Sequence, residues 1–159
     1  MSQAGSIKAS GGADGFTLIE IVCVLAIIAM LAAIVLPAIP HGTSRPKLEA
    51  YAIEIATVLR ADRDAAVWRH AHVSTAVSAL TRSIQSGVTG EVVAIPDDVH
   101  FQALLAARCN QRAAGATIDF FASGMSCGGT IRLTRNAVGF DVRVNWLTGG
   151  VEIVPASAM

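Results

Sequence analysis

The chain has 159 residues, 53% of them hydrophobic, and its twelve basic side chains balance twelve acidic ones. A formal net charge of zero and only 5% aromatic residues exclude a basic field or a stacking platform that would recruit nucleic acid. Mean hydropathy is +0.55, and the first forty residues supply much of that excess, which leaves room for one modest domain beyond them.

Residues 1–15, MSQAGSIKASGGADG, are small and polar and carry no core-forming run, so they are expected to be disordered before any processing. Next comes GFTLIEIVCVLAIIAMLAAIVLPAI, in which residues 21–39 form nineteen consecutive positions without a charge or an amide. That length fits a transmembrane helix. A secretory signal peptide would have a shorter apolar region and a small-residue cleavage site, which Leu36-Pro37-Ala38 does not supply. An uncleaved signal anchor is the plain alternative. Lys8 stands before the span and Arg45 and Lys47 after it, so charge alone leaves the orientation open. Glu20 heads the run. A carboxylate at the edge of a membrane helix costs a few kcal/mol, roughly, unless it snorkels to the interface or meets a positive charge from another chain.

Gly15-Phe16-Thr17-Leu18-Ile19-Glu20, followed by a long apolar helix containing Pro37, resembles the N-terminus of type IV prepilins and type II secretion pseudopilins. The resemblance implies that prepilin peptidase cuts between Gly15 and Phe16 and that the new Phe16 amine is N-methylated. It implies that Glu20 pairs with the Phe16 amine of a neighbouring subunit. It also implies an orientation with the leader inside and the rest of the chain in the periplasm. The leader is less basic than is usual in such proteins, and Asp14 adjoins the cleavage glycine.

Pro37 lacks an N–H and loosens the helix, and Pro40-His41-Gly42 with Ser44-Arg45-Pro46 form a breaker cluster. Either the membrane helix ends there, or it weakens and resumes near Pro46 with Ser44 as N-cap. From about 46 to 70 the pattern is helical, with Leu48, Tyr51, Ala52, Ile55, Val58, Leu59 and Ala66 on one stripe. Glu49, Glu54, Arg60, Arg63 and Asp64 are expected on a solvated face, Arg60 and Asp64 as an i,i+4 pair, and Trp68 packed against a sheet.

After His70 the period shifts to two. Strands are expected at 73–80 and, interrupted by Gly90, at 88–95, with 81–86 a polar turn. Residues 99–105 read as extended or as a short helix, and 108–115 as an exposed loop. Cleaner strand signals follow at 117–121, 129–134, 138–146 and 151–154, the last three forming an antiparallel meander. Phe140, Val142, Val144 and Trp146 alternate with Asp141, Arg143 and Asn145, the pattern of a half-buried sheet.

Residues 59–77 and 118–153, with their LRADRDAAVWRHAHV and FDVRVNWLTGGVEI runs, resemble the minor pseudopilins of the GspH/FimT group; residues 80–112 match little of it, in a region that is variable in that group. The implied fold is α+β and type IV pilin-like: a long N-terminal helix packed on a small antiparallel β-rich domain of two sheets. The implied plan is a leader over 1–15, a hydrophobic transmembrane and assembly helix over 16–39, and a periplasmic unit over 40–159. In that compartment Cys109 and Cys127 can form a disulfide or remain two free thiols, while Cys23 in the apolar helix is a filler.

Little else suggests chemistry. His70 and His72 lack a third zinc ligand, and no paired-cysteine spacing marks a metal site. Asp97-Asp98 after Pro96 reads as a turn. Ser123 and Ser126 lack the strand–elbow–helix context of a nucleophile, and Gly128-Gly129 is too short for a phosphate loop. The sequence reads as non-enzymatic and without cofactor or metal, and the resemblance implies a minor pseudopilin, a structural subunit of the secretion pseudopilus that acts in tip assembly for protein export. Its expected location is the bacterial inner membrane, single-pass, with later entry into the pseudopilus. Expected partners are prepilin peptidase and the other major and minor pseudopilins, with secreted cargo as a further candidate contact and no nucleic acid. One rival is a FimT-like minor type IV pilin, serving pilus assembly or DNA uptake; the tail 154–159 carries no basic residue for the latter. The other is a membrane-anchored periplasmic enzyme or binding protein.

Overall fold

Thr17 starts the first helix, α1 (Leu18–Val35). Its hydroxyl and its carbonyl both accept the Glu20 N–H, at 3.3 Å and 3.1 Å. Thr17-x-x-Glu20 is thus the sequence form of a capping box, and the Glu20 carboxylate sits in the first turn, where the helix dipole favours negative charge. This computed structural model describes residues 16–35 and 42–157. The leader with Gly15, the end of the apolar run with Pro37, and Pro40-His41 lie outside them. The chain divides into two compact units, Met1–His41 and Gly42–Met159.

Glycine and proline are absent from α1, and its apolar side chains are distributed around the whole circumference, with Leu18, Ile21, Leu25, Ile28 and Leu31 all exposed. No helix among the described residues is long and apolar enough to cross a membrane. The 18 residues of α1 rise about 27 Å, against a hydrocarbon core of about 30 Å; of the remainder of the predicted 16–39 helix, residues 16–17 are not helical and 36–39 lie outside the described residues.

In the second unit, α2 (Arg45–Trp68) begins at Ser44, whose extended backbone serves as N-cap without a side-chain hydrogen bond, and Pro46 lies in the first turn. It ends in a Schellman motif. His70 adopts a left-handed φ of 49°, its N–H donates to Val67 O, and Ala71 N–H donates to Ala66 O at 3.1 Å. Its buried stripe, from Leu48 through Ile55 and Leu59 to Ala66, packs on both large sheets.

The first sheet holds β1 (Val73–Ser78), β2 (Ser83–Gln85), β3 (Val92–Ala94) and β7 (Thr117–Phe120), in the order β3-β2-β1-β7. The second holds β4 (His100–Leu105), β8 (Gly129–Arg135), β9 (Val138–Val144) and β10 (Val151–Ser157), in the order β10-β9-β8-β4. A hairpin of β5 (Arg108–Cys109) and β6 (Arg112–Ala113) stands apart. Every pairing is antiparallel. Val77, Ile84, Ile118 and Phe120 from one sheet meet Ile131, Leu133, Phe140 and Val142 from the other around α2. Each such side chain contributes about 1.5–3 kcal/mol on burial. The second sheet ends in the expected β8-β9-β10 meander, and 99–105 resolves as a strand.

Several expectations are corrected. Trp68 is 87% exposed, because it lies two residues, about 200° of helix, from Ala66 on the buried stripe. The 81–86 turn contains β2, whose one apolar residue, Ile84, is fully buried. The 88–95 strand shrinks to β3, since residues 86–91 are a turn closed by Ser86 N–H to Glu91 O and Gly90 N–H to Ser86 O. The 108–115 loop contains the β5–β6 hairpin, with Asn110 and Gln111 both at positive φ, as a two-residue type I′ connection requires. Asp64 pairs with Arg63 at 3.3 Å rather than with Arg60. From the solvated face, Arg60 donates to Val151 O at the start of β10 at 2.9 Å and Arg63 to Thr148 O in the β9–β10 turn at 3.1 Å. Trp146 lies beyond the end of β9 and is exposed.

Candidate functional site

Sequence reasoning assigned function to the N-terminal segment. Among the described residues, Phe16 and Glu20 are exposed and flank the first turn of α1. Thr17, between them, was passed over, although the Thr-x-x-Glu spacing marks a helix start. It fixes the backbone at Glu20, so the carboxylate stands at the N-terminal end of a uniformly apolar rod. Cleavage after Gly15 would put a primary amine four residues before that carboxylate.

Among the described residues of the second unit, three polar clusters centre on Asp62, Asp98 and Asp141. The most buried centres on Asp62, fully shielded on the inner stripe of α2. Thr75 Oγ1 donates to its Oδ2 at 2.6 Å, Ser86 Oγ to its Oδ1 at 2.6 Å, and the Gly87 N–H to Oδ2 at 2.9 Å. Ser86 Oγ in turn accepts the N–H groups of Val88 and Thr89. One carboxylate thereby ties α2 to β1 and to the β2–β3 turn. A Cβ on Gly87 would collide with the Ser74 carbonyl oxygen, so only glycine lets this backbone approach. Asp62 was missed, although its place between Leu59 and Ala66 on the stripe was the available signal.

The second cluster closes the start of the unit. Asp98 accepts the Thr43 N–H at 2.7 Å and its hydroxyl at 2.9 Å, and Arg135 Nε approaches at 3.0 Å. Arg135 also donates to the Thr43 carbonyl. The turn reading of Asp97-Asp98 omitted this latch. The Thr43 N–H, more than any other group, holds the Asp98 carboxyl below its ordinary value.

The third cluster lies on the outer face of the second sheet. The alternating pattern placed Asp141 in solvent, yet it is 1% exposed. Arg132, its cross-strand partner, grips it with two hydrogen bonds of 2.7 and 2.8 Å, and Arg143 adds one of 3.2 Å. These guanidinium groups cover the carboxylate. The Arg132 hydrogen bonds are the main cause of its depressed pKa.

Both depressed carboxyls stabilise the fold fully only above the unfolded value, near 3.8. Their contribution is lost as pH falls through the lower folded values. Thermal melts from pH 7 to pH 2 are expected to fall on the acid side. The Asp141→Asn variant is expected to melt lower at neutral pH and to show a flatter acid limb; an unchanged limb would contradict this origin.

His70 terminates α2 and so has a structural place. His72 stacks on Phe121 with ring centroids 5.4 Å apart and lies 3.4 Å from Asp119. Cys109 and Cys127 are joined in a disulfide, with Cα atoms 5.5 Å apart, while Cys23 is free and exposed on α1. Ser126 Oγ donates to Asn145 O and accepts the Gly128 N–H, and Ser123 Oγ accepts the Met125 N–H. Both hydroxyls serve turns.

Residues 12–36 match the family described as the prokaryotic N-terminal methylation motif. No curated protein matches the sequence. Among solved structures, the chain is similar to the type IV minor pilin FimU of Pseudomonas aeruginosa (strain PAO1). The TM-score is 0.51 at 16% identity, over 74% of this chain and 96% of that one. Against a second crystal form of FimU the TM-score is 0.49 at 16% identity, over 70% of this chain and 98% of that one. The fold is therefore type IV pilin-like and of the α+β class, a helix followed by two large antiparallel sheets, in a chain that carries a prepilin methylation motif.

Proposed function

We propose that this chain is a minor pseudopilin of a type II secretion system, of the GspH/FimT group. Its parts are a leader over 1–15, an assembly helix over 16–39 and a periplasmic pilin-like unit over 40–159. The observation that carries the reading is the union, in one chain, of the methylation motif over 12–36 with a pilin-like fold. Prepilin peptidase cuts after Gly15 on the cytoplasmic side, and Phe16 becomes an N-methylated amine. The apolar helix holds the subunit in the inner membrane until assembly. There a buried, unpaired Glu20 would cost a few kcal/mol, roughly. A neighbouring Phe16 amine offsets that cost at only one axial stagger, so the pair sets the register between helices. The function is structural, in the tip complex, with other pseudopilins as partners and secreted cargo as a further contact.

In cells containing prepilin peptidase, the mature chain is expected to begin at Phe16 and to carry one added methyl group by intact mass spectrometry. Gly15→Val should leave nearly all of the chain at full length. Glu20→Leu should be processed yet fail to cross-link to neighbouring subunits. Unchanged length of the wild-type chain would remove the reading in favour of an anchored periplasmic protein.

The match to FimU favours a second reading, a minor type IV pilin. Capture of the processed chain by secretion minor subunits or by pilus minor subunits separates the two.

A further inference from the structure

Four side chains with metal-ligating atoms, drawn from four segments, meet on the outward face of the first sheet. Ser74 is opposite Asp119 in the β1–β7 register, so His72 and Asp119 are diagonal neighbours on one face. The Cys127 N–H donates to Asp119 O at 3.0 Å, which sets Cys127 on the other flank of Asp119. Cys109 arrives from the β5–β6 hairpin, and a cavity of about 440 Å³ opens beside His72, Cys109 and Asp119.

The spacing fits a metal. His72 Nε2 lies 3.4 Å from Asp119 Oδ1, and Asp119 Oδ2 lies 3.6 Å from Cys127 Sγ. One ligand atom from each of Cys109, Asp119 and Cys127 falls within 4.8 Å of the others. A tetrahedral zinc with bonds of about 2.0–2.3 Å has ligand-to-ligand edges of about 3.3–3.8 Å. The histidine–carboxylate and carboxylate–sulfur separations already have that length. A small turn of the carboxylate lets one oxygen serve both neighbours. Two adjustments are needed: the two sulfurs are too close, because they are bonded to each other, and His72, which touches Asp119 but stands outside the three-residue group, must swing toward the sulfurs once they part. The stacked Phe121 ring holds the imidazole in place, as outer groups around zinc ligands do.

We propose that reduction of the Cys109–Cys127 disulfide opens a zinc site formed by His72, Cys109, Asp119 and Cys127. The hairpin is then pinned to the sheet by the metal instead of by the sulfur–sulfur bond. A dithiol supplies two electrons and its two protons and becomes a disulfide; a phosphine supplies two electrons and becomes a phosphine oxide, with water giving the oxygen atom and the two protons. The protein S–S bond breaks and takes up two protons, giving two thiols. Zinc binding then releases those two protons and forms two Zn–S bonds. The oxidised and zinc-bound forms exclude each other, because a disulfide sulfur carries no thiolate.

The test uses the full chain in detergent micelles, reduced with a phosphine and titrated with zinc chloride against a chromophoric chelator. One zinc per chain should survive desalting in the reduced protein and none in the oxidised protein. Zinc should raise the melting temperature of the reduced chain alone. Cobalt(II) in its place should give thiolate-to-metal charge-transfer absorption. His72→Gln and Asp119→Asn should each weaken zinc binding by about tenfold or more, and the Cys109→Ser/Cys127→Ser variant should bind none. A reduced chain that neither retains zinc nor melts higher with it overturns the proposal. So does equal affinity in the histidine and aspartate variants, which would assign the metal to two loose thiols.

Discussion

Asp62→Ala is expected to lower the unfolding free energy of the β-rich unit by roughly 3–5 kcal/mol, read from urea denaturation. The carboxylate accepts from Thr75, Ser86 and Gly87, and hydrogen bonds to a charged group are worth about 1.5–3 kcal/mol each. Removing it leaves two hydroxyls and one N–H without their acceptor, in a site where Thr75 and Ser86 are buried. Such a loss is a large share of the roughly 5–15 kcal/mol that holds a domain together. Asp62→Asn keeps the shape but turns an amide N–H₂ toward a donor, so it should cost less than alanine and more than a surface change. Thr75→Val should cost far less in the Asp62→Ala background than in the wild type, because the two side chains share one bond. Full additivity would mean that the network is not coupled.

The second large effect concerns the disulfide. Cys109 and Cys127 are 18 residues apart, and closing a loop of that size contributes about 3 kcal/mol in the chain-entropy account. Cys109→Ser/Cys127→Ser in metal-free buffer should therefore melt about 10 °C lower. The loss should also be local. The β5–β6 hairpin has two residues in each strand, so it has little hydrophobic support of its own. Amide exchange should rise first across 107–115, while Val77, Ile118 and Leu133 stay protected. A uniform rise across both sheets would show instead that the bridge supports the whole unit.

Where apolar periodicity was strong, the fold was legible. The stripe from Leu48 to Ala66 placed α2 within two residues at each end. The β8–β10 meander could be read because Ile131, Leu133, Phe140 and Val142 alternate cleanly with polar neighbours. β2 was hidden because Ile84 is its one apolar residue, and two flanking strands rather than its own pattern hold it in place. The polar clusters were hidden for a different reason. Asp62, Asp98 and Asp141 find their donors 13 to 55 residues away in the chain, or across a strand pair. Charge type suggests solvent at such positions, even where, as at Asp62, the spacing falls on the buried stripe; only the fold brings Thr75, Thr43 or Arg132 to them. The cluster at Asp119 escaped notice in the same way, since His72, Cys109 and Cys127 converge on it from separate segments.

The even coat of α1 has a consequence for packing. An amphipathic helix chooses a side, and rotating it about its axis costs apolar burial. A rod that is equally greasy all round has no such preference and can spin at nearly constant contact area. In the proposed assembly, neighbours then arrive from any azimuth, so one surface meets inequivalent partners at the end of a polymer. What such a rod cannot do is slide freely: Glu20 is its single formal charge and stands at one end. A slip of one turn, about 5.4 Å, would strand that charge among methyl groups. The helix is permissive in rotation and strict in translation.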